Sequence, residues 1–259
     1  ALVTGVLTTT AATVFNGGFA ANQESTIIAA DGEADNAFVL LIKNQEATDD
    51  RSFGVKINAG STATDTPFFI KTHDDGTELF GVRGSGQVRF VDGTESLPAI
   101  SNIGDTNTGI FFPAADTIAF AEGGSEAMRI TNAGEVLINK TASSDVASTA
   151  TSKLQINSAS VLGMSIMSTA DASGPGGTIA LGHGRGSITA ALQEDDIAGE
   201  IRFTAADGTD MENQVASIRG IADADASSNN TAGALVFGTT AASATQPTER
   251  LRIDKTGLS

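Results

Sequence analysis

The chain is expected to be an all-β protein, elongated and built from short strands and hairpins. Three observations predict this. The first is a recurring phrase. Ser125-Glu126-Ala127-Met128-Arg129-Ile130 runs into a turn at Gly134, and Thr248-Glu249-Arg250-Leu251-Arg252-Ile253 runs into a turn at Gly257. A looser copy starts at Thr77-Glu78-Leu79-Phe80 and reaches Gly84. Recurrence of one strand-and-turn phrase is the mark of a repetitive β architecture. The second observation is alternation of period two, as in Phe53, Val55 and Ile57, which gives a strand one apolar and one polar face. The third is that no segment shows sustained helical periodicity, whereas turn signals recur about every 8–12 residues.

Composition supports the same class. Of 259 residues, 40% are hydrophobic, but aromatics are only 5%: 13 Phe with no Trp and no Tyr. Side chains that fill a thick core are therefore scarce. Gly, Ala, Ser, Thr, Asn and Asp suit thin β layers whose apolar surface is buried against other chains. The net charge of −16 opposes binding to nucleic acid and to anionic membrane surfaces. No stretch approaches the roughly 18 apolar residues of a membrane span. Cysteine is absent, which excludes disulfides, thiol catalysis and cysteine-ligated metals. The start at Ala1 shows no signal-peptide core, and the missing initiator Met points to a portion of a longer chain.

The elements are expected in the following order. Residues 1–30 carry short strands around Asn16-Gly17-Gly18. Residues 31–140 form a first hairpin module. In it Phe38–Ile42, Phe53–Ile57, Phe68–Ile70, Leu79–Val82, Val88–Phe90, Thr117–Phe120 and Glu135–Asn139 read as strands. Asp92-Gly93 reads as a hairpin turn, because glycine accepts positive φ without a Cβ penalty. Ser101–Phe112, with two glycines and several Asn, Asp and Thr, reads as a compact loop. Residues 141–152, rich in Ser, Thr and Ala, read as a linker. Residues 153–259 form a second β module. Its paired strands Ile197–Phe203 and Val215–Ile221 flank Asp207-Gly208, and Ala234–Phe237 follows the polar loop Asp223–Asn230.

Two stretches then carry a resemblance. One is Gly104-Asp105-Thr106-Asn107-Thr108-Gly109-Ile110-Phe111-Phe112-Pro113, with Thr117–Phe120 and Glu126–Ile130. The other joins Gly199-Glu200-Ile201, Ala216–Gly220, Gly233–Phe237 and Glu249–Ile253. They resemble modules of bacteriophage tail fibres, of the marine and cyanobacterial phage type, and together cover under half of the chain. The resemblance implies a homotrimer folded as a triple-stranded β-helix, a β-prism or small β-sandwich modules. It also implies a virion tail appendage, made in the host cytoplasm, with residues 1–30 as a shaft segment. Implied partners are other phage tail proteins and a bacterial surface polysaccharide or protein receptor, with neither nucleic acid nor membrane insertion. The self-cleaving chaperone domain that ends many such fibres is absent, and the residues leave open whether Ser259 is a processed end or a cut.

Candidate chemistry is sparse, and no catalytic, cofactor or metal residue is assigned. Asp49-Asp50, Asp74-Asp75 and Asp195-Asp196 pair carboxylates as a glycosidase does, but Asp is also a common turn residue. Calcium is the other reading of such acids, and none has the spacing of an EF-hand loop. His73 and His183 are the only histidines. His183, in Gly182–Gly186, would form a metal site only by meeting its copies on a trimer axis. That glycine run lacks the Lys-Ser/Thr of a phosphate loop. Arg129 and Arg252 are expected to point outward and pair with acids, the alternative being contact with a glycan, with Ile130 and Ile253 on the opposite, inward face. The function expected is a non-enzymatic, trimeric shaft displaying loops such as Ser101–Thr108 and Asp223–Asn230 to a receptor. The alternatives are a tailspike-like polysaccharide depolymerase and a non-viral filament or adhesin stalk.

Overall fold

The computed structural model describes Leu40, Ile42 and residues 55–57, 59, 62–72, 74, 76–146, 152–159, 163–169 and 176–258. Among these residues there is no helix. The chain divides into two compact units, Ala1–Phe68 with Arg83–Gly86, and Phe69–Val82 with Gln87–Ser259. In the first, a turn at 62–65 closes when Asp65 Oδ2 accepts from the Thr62 amide, at 2.9 Å. The Gly84 amide donates to Asp65 O.

Three sheets follow one another. The first orders β1 (Phe68–Lys71), β2 (Glu78–Val82) and β3 (Val88–Phe90). The edge-to-face pair Phe80–Phe90, with ring centroids 5.3 Å apart, locks β2 to β3. The second has six strands in sequence order: β4 (Ile100–Asn102), β5 (Asp105–Phe111), β6 (Ile118–Glu122), β7 (Ser125–Ile130), β8 (Val136–Ile138) and β9 (Leu154–Ile156). The third has five: β10 (Ile197–Ala205), β11 (Asn213–Ala222), β12 (Gly233–Thr239), β13 (Thr248–Asp254) and β14 (Gly257–Leu258). Strands β2 to β14 pair antiparallel wherever they pair, except β8–β9, which is parallel, and an isolated parallel bridge joins Val146 to Met211.

The turns follow from their residues. β6 and β7 are joined by Gly123-Gly124 with φ of 58° and 81°. Positive φ at both central positions matches the right-handed twist of the strands, and glycine reaches it without strain. Asp207 tethers the β10–β11 turn by accepting from the Thr209 and Asp210 amides.

Several sequence expectations change. Ser101–Phe112 is not a loop but the hairpin β4–β5. The reason is local: Asn102 Oδ1 accepts from the Gly104 amide at 2.8 Å, so the turn needs only Ile103 and Gly104. Residues 105–111 are then free to pair. The loose repeat turns over residues 83–86, with Gly84 inside the turn, the Gly86 amide donating to Arg83 O, and Gly86 at a φ of 80°. Val55 and Ile57 are exposed and belong to no strand, while Phe53 and most of Phe38–Ile42 lie outside the described residues. The parallel β9 was not foreseen. Its crossover, residues 139–146, carries Lys140 and Ser144, whose Nζ and backbone amide donate to Gln155 Oε1. Ser143 donates to buried Glu135. This polar strap lies on the side of the sheet that holds Leu137, which has no solvent exposure.

Gly109 sits where an added Cβ would lie 2.0 Å from Ile100 O and 3.0 Å from the Pro98 side chain. Gly109→Ala is therefore expected to break the β4–β5 pairing and cost about 2 kcal/mol or more. Gly123→Ala has open space and carries only the left-handed penalty, about 1 kcal/mol. Denaturant unfolding of the two variants should rank them in that order.

Candidate functional site

The second and third sheets contain the same meander twice. Register makes the match residue by residue. The row Ile110, Phe120, Met128 corresponds to Ile218, Phe237, Leu251. The row Phe111, Ala119, Arg129 corresponds to Arg219, Val236, Arg252, and Gly109, Ala121, Glu126 to Ser217, Gly238, Glu249.

In both copies the recurring phrase contains a β-bulge. Opposite β6 the partner changes from Met128 to Glu126, so Ala127 is the extra residue. Opposite β12 it changes from Leu251 to Glu249, so Arg250 is extra. On a regular strand, residues three apart face opposite ways. The bulge restores Glu and Arg to one face. Arg129 Nε and Nη2 donate to the two oxygens of Glu126, and Arg252 does the same to Glu249 at 3.1 Å each. Planar fork-to-fork pairing of this kind adds geometry as well as charge. In the loose repeat the arginine position holds Gly81. An added Cβ there would lie 2.1 Å from Glu78 Oε1, in the space the cross-strand pair Glu78–Arg89 occupies.

The Glu/Arg face is the covered one within the chain. The Glu126 side chain is 5% exposed and Arg129 19%. Ala119, Leu137, Val236 and Ser217 beside them are buried. Glu200 takes Arg219 from its register partner and Arg202 from its own strand, each at 2.7 Å. Burial raises the Glu200 carboxyl, but the hydrogen bonds and charges of both arginines outweigh it and hold it below its ordinary value. Hydrogen bonding to Glu126 raises Arg129 despite desolvation. In the second copy Arg252 also reaches Asp223 at 3.5 Å, and Lys255 Nζ donates to Asp223 O. These bonds pin the base of the 223–230 loop.

The other face is apolar and open. In the second sheet it carries Ile100, Ile110, Phe120, Met128, Ile138 and Ile156, flanked by Ile118, Ile130, Val136 and Leu154. In the third it carries Ile201, Ile218, Phe237 and Leu251, flanked by Leu235, Ile253 and Leu258. Ile130 and Ile253 do oppose Arg129 and Arg252, as the alternation requires. Within one chain, however, they are not inward: they are 37% and 40% exposed. At Gly199, paired with Gly220, the absent side chain admits Leu181, which lies against this face.

The remaining candidates sit in turns. Asp74 accepts from Thr72 Oγ1 and the Gly76 amide, which lowers its carboxyl. Asp196 accepts from the Gln193 amide at 2.7 Å, while Asp195 adopts a φ of 69°. Asp49, Asp50, Asp75 and His73 lie outside the described residues. His183 Nδ1 is 3.0 Å from Ile197 O. Among the described residues no three His, Asp or Glu gather as a metal site.

No protein-family model and no curated protein matches the chain. Among solved structures it is similar to the carboxy-terminal domain of the bacteriophage T5 L-shaped tail fibre. Identity is 14%, coverage is 74% of this chain and 89% of that one, and the TM-score is 0.43.

Two predictions follow from the arginine face. Arg129→Ala strands a nearly buried carboxylate and should cost about 3 kcal/mol, whereas Arg252→Ala, in a more open pair, should cost clearly less. Equal losses in chemical denaturation would contradict the difference in burial. The depressed Glu200 carboxyl contributes stability that is complete above its ordinary value near 4.5 and is lost as pH falls through its lower folded value. Glu200→Gln should therefore be less stable than the parent at pH 7, with the gap closing as pH falls below 4.5 in thermal melts.

Proposed function

We propose that the chain is a structural and host-attachment segment of a bacteriophage tail fibre, working as a homotrimer without catalysis. The observation that carries this reading is the tandem meander. One β unit recurs with the same bulge, the same Glu–Arg pair and the same open apolar row. Duplication of a scaffold unit extends reach. The two stretches that resemble tail-fibre modules overlap these meanders.

The chemistry of the described residues supports a non-enzymatic role. Asp74, Asp196 and Asp207 spend their carboxylates on backbone amides of their own turns. Glu126, Glu200 and Glu249 are engaged by arginines. A depolymerase needs two carboxylates facing one sugar ring, whereas these acids are engaged by turn amides or arginines. Recognition fits the loops that leave the meander, above all Asp223–Asn230. Its base is fixed by Asp223–Lys255 and by Asp225, which accepts from the Glu194 amide. Loops on a rigid scaffold vary without disturbing it. The partner fitting this role is a bacterial surface polysaccharide or protein, and the location is the virion tail.

Native mass measurement should give about three times 26.2 kDa. A folded monomer at micromolar concentration would refute the trimer. Incubation with host-envelope polysaccharide should release no new reducing ends; release that disappears in Asp195→Asn or Asp196→Asn would establish the depolymerase instead.

A further inference from the structure

We infer that the apolar rows of both meanders, and not their Glu/Arg faces, form the surface on which copies of this chain assemble, each row seated against the rows of other copies. The inference rests on the fibre reading above and specifies its interface.

Three observations carry it. The first is an inversion of burial. In the second sheet the face holding the Glu126–Arg129 pair is covered by the chain itself, and in the third the same face buries Ser217, Ala234 and Val236 although Glu249 at its edge is 45% exposed, while in both the face holding Ile, Leu and Phe is open. A sheet with one solvated face normally places its polar side in water. Here Ile179 and Leu181 lie beside the third-sheet row near Gly199, and Phe112 and residues 114–116 border Ile118 and Ile130, yet the row residues stay at least 37% exposed at Ile118, Ile130, Ile201, Leu235, Leu251 and Ile253.

The second is area. Eleven large apolar side chains on the two open faces, including Ile118, Ile201, Phe203, Leu235 and Leu251, are at least 37% exposed. At roughly 80 Å² still to be buried on each, about 900 Å² per chain is available, against about 800 Å² per partner in a standard stable interface. Patches of this extent mark interaction sites.

The third concerns the partner. The chain carries a net charge of −16, so its copies repel one another. These rows hold no carboxylate, and the charged residue at the edge of the third-sheet face is the bulge residue Arg250, which donates to Thr239 Oγ1. They are where two such chains meet without opposing carboxylates. Both rows also occur in one chain in a fixed order, and a second copy presents the matching pair in the same order.

The absence of cysteine makes the test direct. Leu251→Cys places a thiol on the open face. Glu249→Cys places one two residues away but on the opposite face, because of the bulge at Arg250. Each variant is treated with a short bis-maleimide and analysed on denaturing gels, with native mass measured in parallel. Leu251→Cys should give interchain products at least tenfold more than Glu249→Cys, in a proportion unchanged on tenfold dilution. Should Leu251→Cys fail to fold, Phe203→Cys reports the same face. An intact oligomer that links at Glu249→Cys, or at neither position, overturns the assigned face and leaves the fibre reading standing. A folded monomer overturns both.

Discussion

The β-bulge inside the recurring phrase is the constraint from which the rest of the structure follows. Without the extra residue at Ala127 or Arg250, a glutamate and an arginine three positions apart would point to opposite faces of the sheet. With it they share a face and engage as a fork. Fixing that pair also fixes the register of everything beside it. A slip of one residue would carry the charged pair to the apolar side and the apolar row to the charged side. The meander is thus held in phase by a polar interaction, and its apolar side chains remain available.

This division suits the composition. With few aromatics, the chain has little material for a thick interior of its own. Among the described residues the buried apolar side chains are few and mostly small: Ala119, Ala121, Ala222, Ala234, Phe111, Val236, Leu192 and Leu137. Alanine and glycine bring strands and straps close together but supply little burial free energy, which scales with apolar area. The larger residues, Ile, Leu and Phe, are set on the opposite side in two continuous rows. On the assembly inferred above, a chain arranged this way would gain much of its hydrophobic stabilisation on association, coupling folding to assembly.

Much of this was legible in the sequence, and the exceptions have physical causes. The phrases at Ser125 and Thr248, the alternation around Phe120 and the Asp207-Gly208 turn each gave a strand or turn where the structure has one. Residues 101–112 misled because Asn, Thr and Gly usually mark turns, whereas here Asn102 makes one tight turn and Thr106, Asn107 and Thr108 lie in a strand. The bulge was present in the phrase as a spacing of three between Glu and Arg, and that spacing was the signal that alternation had to break. Which face is covered could not be read from the phrase alone. It depends on distant partners, such as Ser143 and Ser144 on the crossover strap, that no local pattern announces.

The two copies also differ in a way that bears on their roles. The first is closed on its charged side by the 139–146 strap, with Glu135 and Gln155 bonded beneath it. In the second, the Arg252 position is bordered by Asp223 and Lys255, so the same face reaches out to the base of a loop. The Glu249–Arg252 pair is correspondingly more exposed than Glu126–Arg129. One scaffold therefore supports two uses of its polar side, a sealed strap in one copy and a loop anchor in the other. Changes of loop length or sequence at 224–231 would leave the Glu–Arg pair and the apolar row untouched, because neither takes a side chain from that segment. On the proposed attachment role, variation in recognition would be separated from the surface that holds the sheet in register, as a module built on a repeated scaffold requires.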